Sequence, residues 1–313
     1  MSFRFPSQDE IRKRSYHNWE LRGCGDCFDQ IDWCLADRQL IIEANFDLVA
    51  SYNFDDSDDL PYDNGRLSCR YCGLSEPNTT FNKIGHSISR SWGANLISKD
   101  ECDTCNALFG KYESHFGQWS LPLRRFIRTD GYAGPKPVLA EDYIVQSDGT
   151  KVFAGTVDGV KKVYPNDAYL NPERVVAILK ILTKFGLAIM PTTLLAEYEP
   201  TKAWILNEDH GTNPRECQNL IMFLSSVKSE QGHWQEGISQ ISLYTAKHNF
   251  PEHSGTLLVF RTGPLAIQIP IPLSTNEKLK HKATIMSVPS FVNFDSQFGP
   301  PQTVVSTDFI VNN

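Results

Sequence analysis

Residues 69–113 read CRYCGLSEPNTTFNKIGHSISRSWGANLISKDECDTCNALFGKYE, and the rest of the chain is read outward from them. Two Cys-x2-Cys pairs, Cys69/Cys72 and Cys102/Cys105, bracket the segment. Each short turn presents two sulfurs, and two such turns close a tetrahedral site for Zn2+ with Zn–S distances of about 2.3 Å. The alternative is four free buried thiols in a reducing compartment, and the repeated spacing favours the metal. An all-sulfur site leaves no open coordination position, so this zinc holds structure and the chemistry falls to the loop between the pairs.

That loop carries His86 within IGHSIS, Asn95 within GANL, and Asn106 directly after Cys105, followed by FG and Glu113. In this pattern the segment resembles the HNH nuclease family, in its branch whose motif ends CDxCN, over roughly residues 66–120. The resemblance implies a ββα-metal fold of two strands and a helix that hydrolyses phosphodiesters. It implies His86 as general base, Asn95 as the residue orienting it, and Asn106 as ligand of a catalytic Mg2+ or Mn2+. Two positions depart from the pattern: Gly85 stands where many members carry an acidic metal ligand, and Ser89 where proline is usual.

The chemistry agrees with those residue types. A histidine with an ordinary pKa near 6.5 can take a proton from water at neutral pH. A hard cation that keeps several waters needs few protein ligands to neutralise a leaving oxygen. On a helix starting near Cys105, Gly110 and Glu113 share the face of Asn106, which makes Glu113 a second ligand or a supporting carboxylate. His115 falls about 180° away from Asn106 and is read as a packing or solvent residue.

Net charge is −7 over 313 residues, which is unusual for a protein that grips a polyanion. It is unevenly divided: residues 66–128 carry +4, residues 1–65 carry −8, and the remainder −3. Positive charge concentrated on the motif suits a phosphate-binding face, with Arg70, Lys83, Arg90, Lys99 and Lys111 as candidate contacts. The expected partner is nucleic acid, most simply double-stranded DNA.

The expected division is an acidic amino-terminal segment and linker (1–65), a zinc-stapled HNH-like domain (66–130) and a larger α+β domain with an antiparallel sheet (131–313). The fold class is therefore α+β. Cys24, Cys27 and Cys34, with His17 upstream, have looser spacing and are expected to hold no second metal. LADRQLIIEANFDLVAS (35–51) reads as a helix or as a helix followed by a strand. DDSDDLPYD (55–63) reads as a solvated linker.

Past a helix break expected at Pro122, runs punctuated by Ser147–Thr150 and Asp158-Gly159 predict a three-stranded meander. Asn171-Pro172 opens a helix with apolar residues at Val175, Ile178, Leu179, Leu182 and Phe185. A further helix is expected over 215–228, then strands ISLYTA, GTLLVFRT and LAIQIPIPLS. This region carries no chemical motif, and its expected role is recognition or binding of a protein partner.

No apolar run reaches a membrane span and the amino terminus lacks a secretory signal, so a soluble cytoplasmic protein is expected. The sequence thus predicts a metal-dependent endonuclease, which by resemblance belongs to bacterial anti-phage defence or restriction. The alternatives are a zinc-stapled nucleic-acid-binding module without catalysis, and an RNA-directed nuclease toxin.

Overall fold

A computed structural model describes residues 4–21, 29–54, 60, 68–127, 138–140, 143–145, 151–157, 160–163, 172–211, 213–214, 217, 223–226, 239–248, 255–262 and 265–279. The fold is α+β, with antiparallel sheets. Helices α1 (Gln8–Leu21) and α2 (Asp29–Asn45) form an antiparallel pair tied by Arg14, which donates to both carboxylate oxygens of Glu43. At Asn45 the chain passes directly into strand β1 (Phe46–Asn53), so the dense apolar run over 35–51 is a helix followed by a strand.

β1 belongs to a sheet made mostly of carboxyl-terminal residues. It pairs antiparallel with β9 (Gln240–Ala246), and the strand order is β1-β9-β10-β11-β8, with β10 Thr256–Thr262, β11 Leu265–Ile271 and β8 Phe223–Ser226. Thr262 lies opposite Leu265, so two residues close the β10–β11 hairpin. The helix expected over 215–228 is corrected here: Phe223–Ser226 is a strand whose Leu224 pairs with Ile267. A partner distant in sequence decides this stretch against its local pattern.

A second sheet, β4 (Val138–Ala140), β5 (Tyr143–Val145), β6 (Lys151–Val157) and β7 (Val160–Val163), is a four-stranded antiparallel meander with one strand more than expected. Between β1 and this meander lie a short hairpin, β2 (Gly85–His86) and β3 (Ile97–Ser98), and the long helix α3 (Asp103–Ile127). The helix continues through position 122, where a break was expected. After the meander come α4 (Pro172–Ile189), the short α5 (Thr192–Leu195) and α6 (Glu199–Leu206).

α4 is the centre of the molecule. From Val175 to Ile189 its residues are buried around the whole circumference, as in a helix packed on all sides. It lies against α3 on one side and against β1, β9 and β11 on the other. A chain of rings crosses from the motif to the large sheet: Trp92 stacks on Phe116 (5.6 Å), Phe116 meets Phe185 of α4 edge-on (5.9 Å), and Trp92 meets Phe260 of β10 (5.1 Å). Phe260 in turn contacts Phe54 (5.0 Å). Among the described residues, side chains of the motif, of α4 and of the large sheet belong to one hydrophobic cluster. The motif could not bury enough surface alone, and it shares one core with the sheet. Among the described residues no helix is long and apolar enough to cross a membrane.

Candidate metal centre and hydrolytic site

The ligand atoms of Cys69, Cys72, Cys102 and Cys105 all lie within 4.8 Å of one another, and three of the four residues are buried. Cys72 Sγ and Cys102 Sγ are 3.7 Å apart. The edge of a tetrahedron with about 2.3 Å metal–sulfur bonds is about 3.8 Å. The first knuckle turns through Gly73, whose φ of 72° is left-handed, and Gly73 N–H donates to the Cys69 carbonyl. The second opens α3, where Asn106 N–H donates to the Cys102 carbonyl.

The donor chemistry fits a dication. The Cys69 thiol is held down at about 4 by a hydrogen bond from Cys105, aided by backbone N–H groups of Cys102, Cys72 and Tyr71 and opposed by burial. Cys105 is pushed upward by that same hydrogen bond, and Cys72 is pushed up to about 11, chiefly by burial. Four adjoining sulfurs cannot all ionise against one another, and a Zn2+ among them removes the conflict. The cluster can hold a structural zinc ion. Cys24 and Cys27 lie outside the described residues, and Cys34 sits on α2.

The first knuckle precedes the β2–β3 hairpin, and the second opens α3. Gly85 pairs with Ser98 and His86 with Ile97, and Ser87 N–H donates to the Leu96 carbonyl. The His86 imidazole is half-buried and donates to the Ile84 carbonyl. Its pKa is lowered from the ordinary imidazole value first by burial, then by the charges of Arg90 and Lys184, against the Ile84 bond. His86 is thus biased toward the neutral form that accepts a proton.

Asn95 is exposed, and its backbone N–H donates to the Phe54 carbonyl. Among the described hydrogen bonds none joins its side chain to His86; the ring is held by Ile84 instead.

On α3, Asn106 is half-buried and Glu113 lies two turns on. Gly110 between them is exposed, with nothing within 4 Å of where a Cβ would stand. The Glu113 carboxyl is pushed up by burial and drawn back down by Lys184 and by a hydrogen bond from Ser89. Ser89, noted in the sequence only as a departure, therefore holds the carboxylate in place. His115 is within electrostatic reach of Arg174 and His210, and burial lowers its pKa.

Gly85 has a structural reason. A Cβ there would meet Glu101 Cβ at 3.0 Å, Cδ at 3.1 Å and Oε2 at 3.2 Å. The Glu101 side chain, 1% exposed, fills the space that any larger residue at 85 would need. Its Oε2 is 3.0 Å from Nζ of Lys184, an ion pair by distance that does not lie along a hydrogen-bond direction. Sequence reading missed both Glu101 and Lys184. Two lysines in a helix otherwise apolar on every side were the available signal, since such a helix has no wet face for them.

The basic residues divide. Lys83, Arg90 and Lys99 are exposed around the hairpin. Lys111 is exposed and paired with Glu208 at 2.7 Å. Arg70 is a correction to the expected phosphate contacts. It is buried, pairs with Asp100 at 2.8 Å, and donates to the carbonyls of Leu187 and Met190 at the end of α4. Its planar fork joins the zinc knuckle to the central helix, with the side chain 4% exposed.

No known protein family, curated protein or solved structure matches this chain.

Proposed function

We propose that the protein is a metal-dependent endonuclease acting on DNA, with His86 as the general base. The observation that supports this most strongly is that the His86 strand and the Glu113 carboxyl meet at one buried lysine beside a four-cysteine staple: Lys184 donates to the His86 carbonyl, and its charge draws down the Glu113 carboxyl that burial pushes up. His86 takes a proton from the attacking water, and the Ile84 carbonyl keeps the ring oriented as it does so. Asn106 and Glu113 are the residues that would hold a Mg2+ or Mn2+. Their oxygen donors fit such an ion, and a carboxyl pushed up by burial is one that a cation relieves. When bound, that ion neutralises charge on the scissile phosphate and the leaving oxygen. Ser89 steadies Glu113, while Lys83, Arg90 and Lys99 supply positive charge along the nucleic-acid path. Products then carry 5′-phosphate and 3′-hydroxyl ends.

The test is cleavage of supercoiled plasmid with Mg2+ or Mn2+, with and without chelator. His86→Ala is expected to lose about 10²- to 10⁴-fold in rate while keeping its zinc and its DNA binding. The acid limb of the rate profile belongs below the ordinary imidazole value, because the His86 pKa is lowered. Asn106→Ala is expected to need more Mn2+, and His115→Ala to be near neutral. Inertness on DNA and RNA with every metal overturns the proposal in favour of a zinc-stapled binding module.

A further inference from the structure

Helix α4 buries two lysines, Lys180 and Lys184, each 0% exposed. An ammonium in such a place is costly unless its protons are met. Lys180 meets them at a helix end: it donates to the carbonyls of Asn207 (2.5 Å) and Asp209 (3.3 Å), just past α6, as a cation at a helix carboxyl terminus does.

Lys184 serves no helix end. Its Nζ donates to the backbone carbonyl of His86 at 2.5 Å and lies 3.0 Å from Glu101 Oε2. It is bounded by the rings of Tyr71 (5.9 Å), Phe109 (5.6 Å) and Phe185 (5.9 Å).

The hairpin's register explains why that carbonyl is available. Ser87 N–H bonds to Leu96, so Ser87 and, two residues away, Gly85 occupy the hydrogen-bonded positions facing β3. The intervening His86 turns its own carbonyl outward, where a third strand would sit in a larger sheet. Lys184 takes that place. A strand of two residues makes few ladder bonds of its own. The residue before the histidine is braced as well, because Glu101 packs against Gly85 and is itself held by Lys184.

We propose that Lys184 is a positioning residue for His86: the ammonium delivered by α4 fixes the peptide that carries the imidazole, so that the hydrolytic site of residues 69–113 is complete only with helix 172–189 docked on it. The proposal rests on the reading of His86 as general base. A purely structural lysine would change stability and leave the chemical step alone, whereas loss of its charge by itself moves the histidine's titration.

The charged groups facing His86 are Arg90 from the 3-10 turn (Arg90–Trp92) and Lys184 from α4; beyond Lys184 lie the carboxyls of Glu101 and Glu113. The variant is Lys184→Met combined with Glu101→Gln, which removes both charges and leaves neither stranded. A second pair, Lys184→Gln with Glu101→Gln, keeps a donor in the cavity should the first fail to fold. Each is accepted as folded on its zinc content and a cooperative thermal transition.

The first readout needs no activity: the imidazole titration of His86 by NMR, assigned by its loss in His86→Gln. It is expected to move to higher pH when the Lys184 charge is removed. The second is plasmid cleavage across pH, where kcat is expected to fall about 10²-fold with KM little changed, as for a misplaced catalytic group. A folded, zinc-loaded variant with His86 titration and kcat unchanged overturns the proposal. If the wild type cleaves nothing, the endonuclease reading fails, and the titration still decides whether Lys184 acts on His86: an unmoved titration overturns the inference by itself.

Discussion

Replacing Gly85 by alanine puts one methyl group against Glu101, and the structure gives the size of the conflict. The new carbon would stand 3.0, 3.1 and 3.2 Å from three atoms of that side chain, whereas carbon contacts are comfortable at about 3.5–4.0 Å. Glu101 must therefore retreat by about half an ångström. It cannot do so freely, because its carboxylate is paired with a buried lysine and the next residue, Cys102, belongs to the zinc cluster. Overpacking of this kind costs about 1–3 kcal/mol, and the stiffer unfolded chain of alanine returns about 0.4–1. The net loss is roughly 1–2 kcal/mol, or about 1.5–3 °C in Tm for a chain of 313 residues. Urea and thermal unfolding of zinc-loaded protein measure it directly. The same substitution in a Glu101→Ala, Lys184→Met background is the control, since the obstructing atoms and the stranded charge are both gone. There Gly85→Ala should be neutral or slightly stabilising. Equal stability of Gly85→Ala and wild type, or an equal loss in both backgrounds, would refute the packing account of why position 85 is glycine.

Two further outcomes are expected. Elemental analysis should find one zinc per chain, and its removal by chelator, or Cys105→Ser, should abolish cooperative unfolding, because the knuckles, the hairpin and the start of α3 share this one staple; a metal-free protein that unfolds like the wild type would exclude the site. Asp103 accepts bonds from the Thr80 hydroxyl and from the N–H groups of Lys83 and Asn82, which hold its carboxyl below the ordinary range. Its contribution is present above the unfolded carboxylate value and is lost as pH falls through the folded one, so Asp103→Ala should speed amide exchange at Asn82 and Lys83 at neutral pH and match wild type in acid. Unchanged exchange at neutral pH would show that Asp103 does not anchor the loop.

Local pattern carried the elements that are stabilised locally. The cysteine spacing pointed to the four-sulfur cluster, the apolar period of 172–189 to α4, and the β-branched runs after residue 240 to β9, β10 and β11. What local pattern could not carry was pairing at a distance. Phe223–Ser226 is a strand only because β11 lies beside it, and β1 belongs to the large sheet only because β9 does. The site divides in the same way. His86, Asn106 and Glu113 were marked by motif, but Arg70 looked like a surface charge until Leu187 and Met190 supplied carbonyls for it. Lys184 had no motif at all, since its importance lies in a peptide 98 residues away.

The pairing of β1 with β9 has a consequence for biosynthesis. Phe46 faces Ala246 and Asn53 faces Gln240, so a strand made early has no partner until some two hundred further residues have left the ribosome. During that interval the zinc knuckles can load, since all four cysteines lie before residue 106, while β1 presents an unpaired edge. Closing so long a loop is slow relative to local folding. A nascent chain should therefore hold its metal well before it can hold His86 against Lys184, and a ribosome stalled ahead of α4 would carry a stapled but unbraced hairpin.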